Sequence, residues 1–207
     1  MNDILDQFTK VHREVGTTGG HSVLLSREYD GAIEDVWDAC TDPERIGRWF
    51  LPVTGDLRPG GTYQLEGNAG GEIVRCEPPR LVKVTWVFGG QPPSEVEVRL
   101  SPGADGRTRF ELEHTVLADE TMWTEFGPGA VGVGWDLVLL GLSRHLQDPT
   151  ANPPEEWSRS AEAREYLTRC GTAWGEAHEA SGAGWSAAQS AAASTIAFYA
   201  PSQQTEA

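Results

Sequence analysis

The sequence predicts an α+β fold in which a curved antiparallel sheet wraps around one long helix, with helical extensions at both ends. Short segments with alternating apolar residues fill the middle of the chain, a long apolar helical stripe follows them, and two further helical patterns come after a proline-rich break. A period of two residues is typical of strands with one covered face and one face in water. A period of about 3.6 residues is typical of amphipathic helices.

For the first part of the chain, the sequence predicts one helix, then one strand, then two short helices. An N-terminal helix is expected because apolar residues recur at helical spacing at Ile4, Leu5, Phe8, Val11 and Val15, and it forms an extension over residues 1–20. A strand follows over His21–Tyr29. Two short helices are then predicted over Ile33–Cys40 and Pro43–Trp49. Thr41 or Asp42 caps the second of these helices, Pro43 occupies its first position, and Pro52 closes it.

The middle of the chain predicts about six further strands between residues 53 and 116. The run LVKVTWVF, Leu81 to Phe88, places Val84, Trp86 and Phe88 on one face. The run ending at Val116 places Phe110, Leu112 and His114 together in the same way. These side chains are expected on the covered face of an antiparallel sheet.

A long helix over Val131–Leu146 is predicted to cover the sheet, leaving a cavity between the two. Together with the strands it forms a unit over residues 21–148. Residues 149–207 comprise a proline-rich linker and a helical hairpin, predicted over Glu155–Ala180 and Ser186–Tyr199. Because the hairpin carries aromatic residues, it must pack on the sheet unit, on the N-terminal helix or on a second subunit, so a homodimer through the helical extensions is one of the alternatives.

Composition and charge narrow the classes of function. The formal net charge is −15, with 31 acidic residues against 16 Lys and Arg, which disfavours nucleic acid as a partner. Three separated cysteines and five scattered histidines indicate neither a disulfide framework nor a metal site. The polar N-terminus and the lack of a long apolar run predict a cytoplasmic protein without membrane insertion, and no cofactor is expected.

A resemblance to a known family is carried by five runs between His21 and Leu146, namely REYDGAIEDVWDACTDPERIGRWF, DLRPGGTYQL, GGEIVRCEPPRLVKVTW, VEVRLSPGADGRTRFELEHT and GVGWDLVLLGL. These runs resemble the START-like (SRPBCC) domains, and more closely the branch named for homologues of the activator of the Hsp90 ATPase. The helical extensions resemble those of actinobacterial members. The resemblance implies a helix-grip fold with a hydrophobic cavity. Its members include lipid and hormone binders, polyketide cyclases and aromatases, hydroxylase components and the chaperone activator, whose separate chaperone-binding domain has no counterpart in these residues.

The candidate ligand-binding residues are apolar and aromatic side chains expected on the covered faces of the sheet and the long helix, at the end of the second short helix, and in the segment before the long helix. They are Trp49, Phe50, Trp86, Phe88, Phe110, Leu112, His114, Trp123, Phe126, Trp135 and Leu139. The alternative is that these residues form an ordinary core, since aromatic stripes usually do. Trp123 and Phe126, with Met122, lie in a predicted glycine-rich loop that either forms a lid or packs down on the hairpin.

His114 is the weak catalytic candidate because it places an imidazole on an otherwise apolar strand face. It could carry protons, or it could be a buried histidine whose hydrogen bonds are satisfied within the core. Three functions therefore remain open: binding of a small hydrophobic or amphipathic molecule, a cyclase-like or aromatase-like enzyme, and a chaperone-linked or dimeric interaction module.

Overall fold

The computed structural model describes residues 4–16, 20–90, 92–116, 120–150 and 157–201, so part of the predicted linker lies outside the described residues. The helices are α1 Ile4–Thr9, α2 Ile33–Thr41, α3 Pro43–Trp49, α4 Glu120–Phe126, α5 Gly129–Gln147, α6 Ala161–Ala180 and α7 Trp185–Tyr199. The strands are β1 His12–Gly16, β2 His21–Tyr29, β3 Val53–Gly55, β4 Thr62–Leu65, β5 Gly70–Glu77, β6 Leu81–Trp86, β7 Ser94–Pro102 and β8 Thr108–Val116.

The strands form one antiparallel sheet in the order β1-β2-β8-β7-β6-β5-β4-β3. Its register keeps the apolar residues of neighbouring strands together: Leu112 lies opposite Val98 and Leu25. On the other face, Lys83 pairs with Glu95 at 2.8 Å. The predicted alternation is therefore confirmed, and the apolar face of the sheet holds α5, as expected for the helix-grip fold.

The N-terminal segment differs from the prediction. Helix α1 ends at Thr9, and residues 12–16 form an edge strand in which Arg13 lies opposite Leu25. The helical spacing of Val11 and Val15 is also compatible with a strand that points both residues the same way, so periodicity alone did not separate the two. The segment forms a strand because the otherwise unpaired edge of β2 offers hydrogen-bonding partners to its backbone.

Helix α5 is held on the sheet and on the C-terminal hairpin by different faces. Tyr29 on β2 donates its hydroxyl to the carbonyl of Leu139 at 3.1 Å. On the opposite face, the fully buried Asp136 accepts hydrogen bonds from Arg13 on β1 at 2.8 Å and from the indole N–H of Trp174 on α6 at 2.9 Å. Asp136 therefore joins the long helix to the N-terminal strand through an ion pair and to the hairpin through a hydrogen bond.

The C-terminal hairpin packs within this chain. Helix α6 begins at Ala161, later than predicted, because Ser160 caps it by accepting a hydrogen bond from the N–H of Ala163. Trp174 and Tyr166 are both buried, and Tyr166 donates its hydroxyl to the carbonyl of Asp136 at 3.1 Å. Of the three predicted packing partners, the structure places the hairpin on α5 and on the N-terminal segment.

The two short helices close one end of the sheet. Asp42 accepts a hydrogen bond from the N–H of Arg45, so of the two predicted caps it is Asp42 that caps α3. The Arg45 guanidinium pairs with Asp35 and Asp38 of α2. At the end of α3, the Trp49 indole donates to the carbonyl of Ala39 at 3.0 Å.

Candidate functional site

A cavity of about 560 Å³ lies between the sheet and the N-terminal half of α5, and α4 and α7 close its remaining side. Aromatic side chains from four parts of the chain line it. They are Trp86, Phe88, Trp123, Phe126, Trp135, Phe198 and Tyr199. Trp86 on β6 and Trp135 on α5 meet across the cavity wall, with their ring centres 5.1 Å apart.

His114 lies at the buried end of the cavity, and neighbouring side chains hold both of its ring nitrogens. The indole N–H of Trp135 lies 3.0 Å from Nδ1, and Nε2 lies 2.8 Å from the hydroxyl oxygen of Ser94. Because an indole can only donate, Nδ1 accepts and Nε2 carries the proton. Ser94 in turn donates to the carbonyl of Trp86 at 3.1 Å, so each member of this chain of hydrogen bonds has a partner.

The same surroundings determine the charge of His114. Burial lowers the pKa of His114 to about 4, because the imidazolium would lose its hydration in this apolar site. A proton on Nδ1 would also face the N–H of Trp135. His114 is therefore a neutral imidazole near pH 7, with neither nitrogen free to take a proton from a ligand.

Helix α4 forms one side of the cavity, where the sequence predicted a loop. The ring of Trp123 stacks on His21 of β2, with the ring centres 3.9 Å apart, and its edge meets His178 of α6. Phe126 contacts Phe198 edge to face, at 6.0 Å between ring centres. These contacts fasten α4 to the sheet and to the hairpin, so the packed-down alternative describes this segment better than a free lid.

The mouth of the cavity carries three exposed apolar side chains, which we call the rim: Phe88, Met122 and Phe198. Their exposed fractions are 50%, 44% and 69%. Phe88 was predicted on the covered face of the sheet, but β6 ends at Trp86, and the chain turns at Gly89 and Gly90. It therefore reaches the mouth instead of the core.

The predicted site residues separate into three groups. Trp86, Phe88, His114, Trp123, Phe126 and Trp135 line the cavity. Phe110, Leu112 and Leu139 share the concave side but are buried in the main core, where the sheet and α5 close on each other. Trp49 and Phe50 do not line the cavity: Trp49 packs on the main core, and Phe50 packs on a separate cluster of Tyr63, Leu65 and Ile73.

Phe198 and Tyr199 were missed among the candidates because the prediction assigned the hairpin to a separate appendage. Their signal is an aromatic pair at the end of an otherwise alanine-rich helical segment. Ser94, which bonds His114, was missed because a serine at the start of a strand carries no pattern of its own.

The cavity is almost free of charge. Among the described residues that line it, none is Asp, Glu, Lys or Arg. The described residues contain no cluster of three or more His, Cys, Asp or Glu side chains that could hold a metal ion. None of the described helices is both long enough and apolar enough to cross a membrane.

Comparison with known proteins identifies a family and several similar solved structures. The model of the family described as "Activator of Hsp90 ATPase homolog 1-like protein" matches residues 30–147, more than half of the chain. The solution structure of CalU16 from Micromonospora echinospora is 38% identical, with a TM-score of 0.68 over 84% of this chain and 97% of that protein. The crystal structure of CalU16 gives 36% identity and a TM-score of 0.65, over 82% and 97% of the two chains.

A more distant similarity concerns the fold alone. DynU16, from the dynemicin biosynthetic locus, is 21% identical with a TM-score of 0.56, and the match covers 62% of this chain and 48% of DynU16. No curated protein matches the chain significantly. The match to CalU16 extends beyond the region of the family model, so it includes part of the extensions that flank it.

Proposed function

The chain belongs to the family of activator of Hsp90 ATPase homolog 1-like proteins, within the START-like superfamily, and on this premise we propose that it binds an uncharged hydrophobic or amphipathic small molecule in the cavity between the sheet and α5. The observation that carries the proposal is a cavity of about 560 Å³ lined by aromatic rings and by no formally charged residue. Its volume lies within the usual range for small-molecule sites.

The chemistry of the lining defines the ligand class. Each Å² of apolar ligand surface removed from water contributes about 25 cal/mol before the entropy cost of binding is subtracted. A charged ligand group would lose its hydration without gaining an opposite charge from the lining. A polar group is tolerated at the open mouth, beside the exposed Asn68. An amphipathic ligand would therefore bind with its apolar part against Trp86 and Trp135.

The cyclase-like or aromatase-like alternative draws less support from the geometry. It needs His114 to exchange a proton with the ligand, whereas Trp135 and Ser94 occupy both ring nitrogens. The low pKa of His114 also makes this residue a poor base near neutral pH. The network favours a positioning role for His114, in which it holds the Trp135 ring against the cavity.

The interaction-module alternative also draws less support. It relied on aromatic residues of the hairpin being available to a partner, but Tyr166 and Trp174 are buried against α5 and its neighbours. Trp185 and Phe198 are exposed, but they lie at opposite ends of α7, and Phe198 belongs to the rim of the cavity. Asp136 of α5 accepts a hydrogen bond from Trp174 of the hairpin and pairs with Arg13 of β1, so these contacts lie within one chain.

The test uses N-phenyl-1-naphthylamine, a neutral probe whose fluorescence rises in apolar surroundings. We expect saturable binding to the wild-type protein. Ala130→Trp, which places an indole in the cavity, should abolish binding, whereas Ala193→Trp adds the same bulk on the exposed face of α7 and should leave it intact. Equal binding by both variants, or no binding by the wild type, would overturn the proposal. Native mass spectrometry of the purified protein would then search for a co-purified molecule.

A further inference from the structure

Helix α7 contributes to the cavity although it lies outside the region that the family model matches. That region ends at residue 147, and Phe198 and Tyr199 lie at the far end of the hairpin. Both residues line the cavity, facing the first turns of α5. The extension is therefore part of the cavity wall.

The end of α7 is held in a defined position. The Tyr199 hydroxyl donates to the carbonyl of Ala130 at 2.9 Å, and the Thr195 hydroxyl donates to the carbonyl of Phe126 at 2.9 Å. Gly129 permits this approach, because a Cβ at that position would overlap the side chain of Thr195. These contacts fix the backbone that carries Phe198.

Phe198 itself is held on one side only. Its ring contacts Phe126 and Tyr199 edge to face, yet 69% of the residue remains exposed. Seven large apolar side chains are exposed in the described part of the chain, and three of them form the rim of this one cavity. Apolar surface gathered around a pocket mouth is typical of a binding site whose occupant covers it.

Building on the proposed function, we infer that Phe198 is a specificity-determining residue, which favours ligands long enough to extend from the buried end beside His114 to the rim. Such a ligand places its inner part against Trp135 and its outer part against Phe198. A shorter ligand binds at the inner end and gains nothing from Phe198. The C-terminal extension thereby favours longer uncharged apolar ligands over shorter ones.

The experiment compares two neutral probes, the smaller N-phenyl-1-naphthylamine and the larger Nile red, on matched variants of α7. Phe198→Ala removes the rim ring. Trp185→Ala removes an equally exposed ring (67%) from the other end of the same helix, and Trp185 does not line the cavity. We expect Phe198→Ala to weaken Nile red binding about tenfold, the loss expected for about 50 Å² of apolar contact, and to leave the smaller probe within about twofold.

Trp185→Ala should leave both probes unchanged, and Phe198→Leu, which keeps most of the apolar surface, should restore most of the Nile red affinity. If both alanine variants bind Nile red alike while Ala130→Trp still abolishes binding, the role of Phe198 is overturned and the binding function stands. If neither probe binds the wild type, both proposals are overturned. Thermal unfolding of each variant checks that a lost signal does not come from a lost fold.

Discussion

The indole N–H of Trp135 lies 3.0 Å from Nδ1 of His114, and this contact joins the long helix to the sheet at the buried end of the cavity. It leaves Nε2 as the protonated nitrogen, which donates to Ser94. A histidine that looks like an acid/base group in the sequence is therefore a neutral link in a chain of internal hydrogen bonds.

The first prediction concerns the pH dependence of stability. The pKa of His114 is about 4 in the folded protein, against about 6.5 for an unperturbed histidine, so between these values the unfolded state binds a proton that the folded state does not. Stability should fall as pH is lowered through this window, by up to about 1.4 kcal/mol per pH unit from this residue. Urea unfolding at several pH values measures the slope.

His114→Gln is the matched variant for this measurement, and its slope between pH 6.5 and 4 should be smaller than that of the wild type. Burial also lowers the pKa of His145 and of His178, but both remain in the variant and contribute equally to the two curves. Equal slopes for the wild type and the variant would contradict a lowered pKa of His114 in the folded protein.

The second prediction uses two glycines of α5 that differ in their neighbours. A Cβ at Gly132 would overlap the indole of Trp174, whereas a Cβ at Gly134 would meet only the Tyr199 hydroxyl, at 3.5 Å. Gly132→Ala should therefore lower the free energy of unfolding by about 1–3 kcal/mol through overpacking. Gly134→Ala should raise it by about 0.5–1 kcal/mol, because alanine favours the helix. Chemical denaturation measures both, and equal effects would contradict the packing of α5 on α6.

The third prediction concerns the buried ion pair between Arg13 and Asp136. Arg13→Met leaves the Asp136 carboxylate buried without its cation, which should cost about 3–5 kcal/mol of stability. Adding Asp136→Asn should recover part of the loss, because asparagine is neutral and keeps an oxygen for the Trp174 indole. The exposed pair Arg169–Glu165 is the control, and Arg169→Met should cost no more than about 0.5 kcal/mol. A loss for Arg13→Met no greater than the control would mean that the buried pair does not stabilise the fold.

Local patterns account for the parts of the fold that were predicted correctly. The alternation around Leu112 and His114 identifies the covered face of β8, and Asp42 with Pro43 identifies the start of α3. The stripe over residues 131–146 lies within the observed α5. Such features depend on neighbours within a few residues, so the order of amino acids carries them directly.

The cavity depends on contacts that no local pattern contains. Leu112 and His114 share one face of one strand, yet Leu112 is buried in the core while His114 lines the cavity. The difference depends on the side chains that face each residue from other elements. At the cavity end these include Trp86 and Trp135, whose ring centres lie 5.1 Å apart. The same reasoning applies to Trp49 and Phe50, which could have packed against the sheet or lined the cavity. They pack on two apolar clusters and do not line the cavity.

The sequence by itself therefore determined the α+β fold and the faces of most of its strands and helices, because periodicity and caps act over short stretches of chain. The family was indicated separately, by runs of sequence that resemble known members, and the family model matches residues 30–147. Only the tertiary structure decided that residues 12–16 pair with β2, that α4 is fastened by Trp123, and that Phe198 completes the cavity. Each of these depends on surfaces that are far apart in the chain and become neighbours when the apolar faces are buried together.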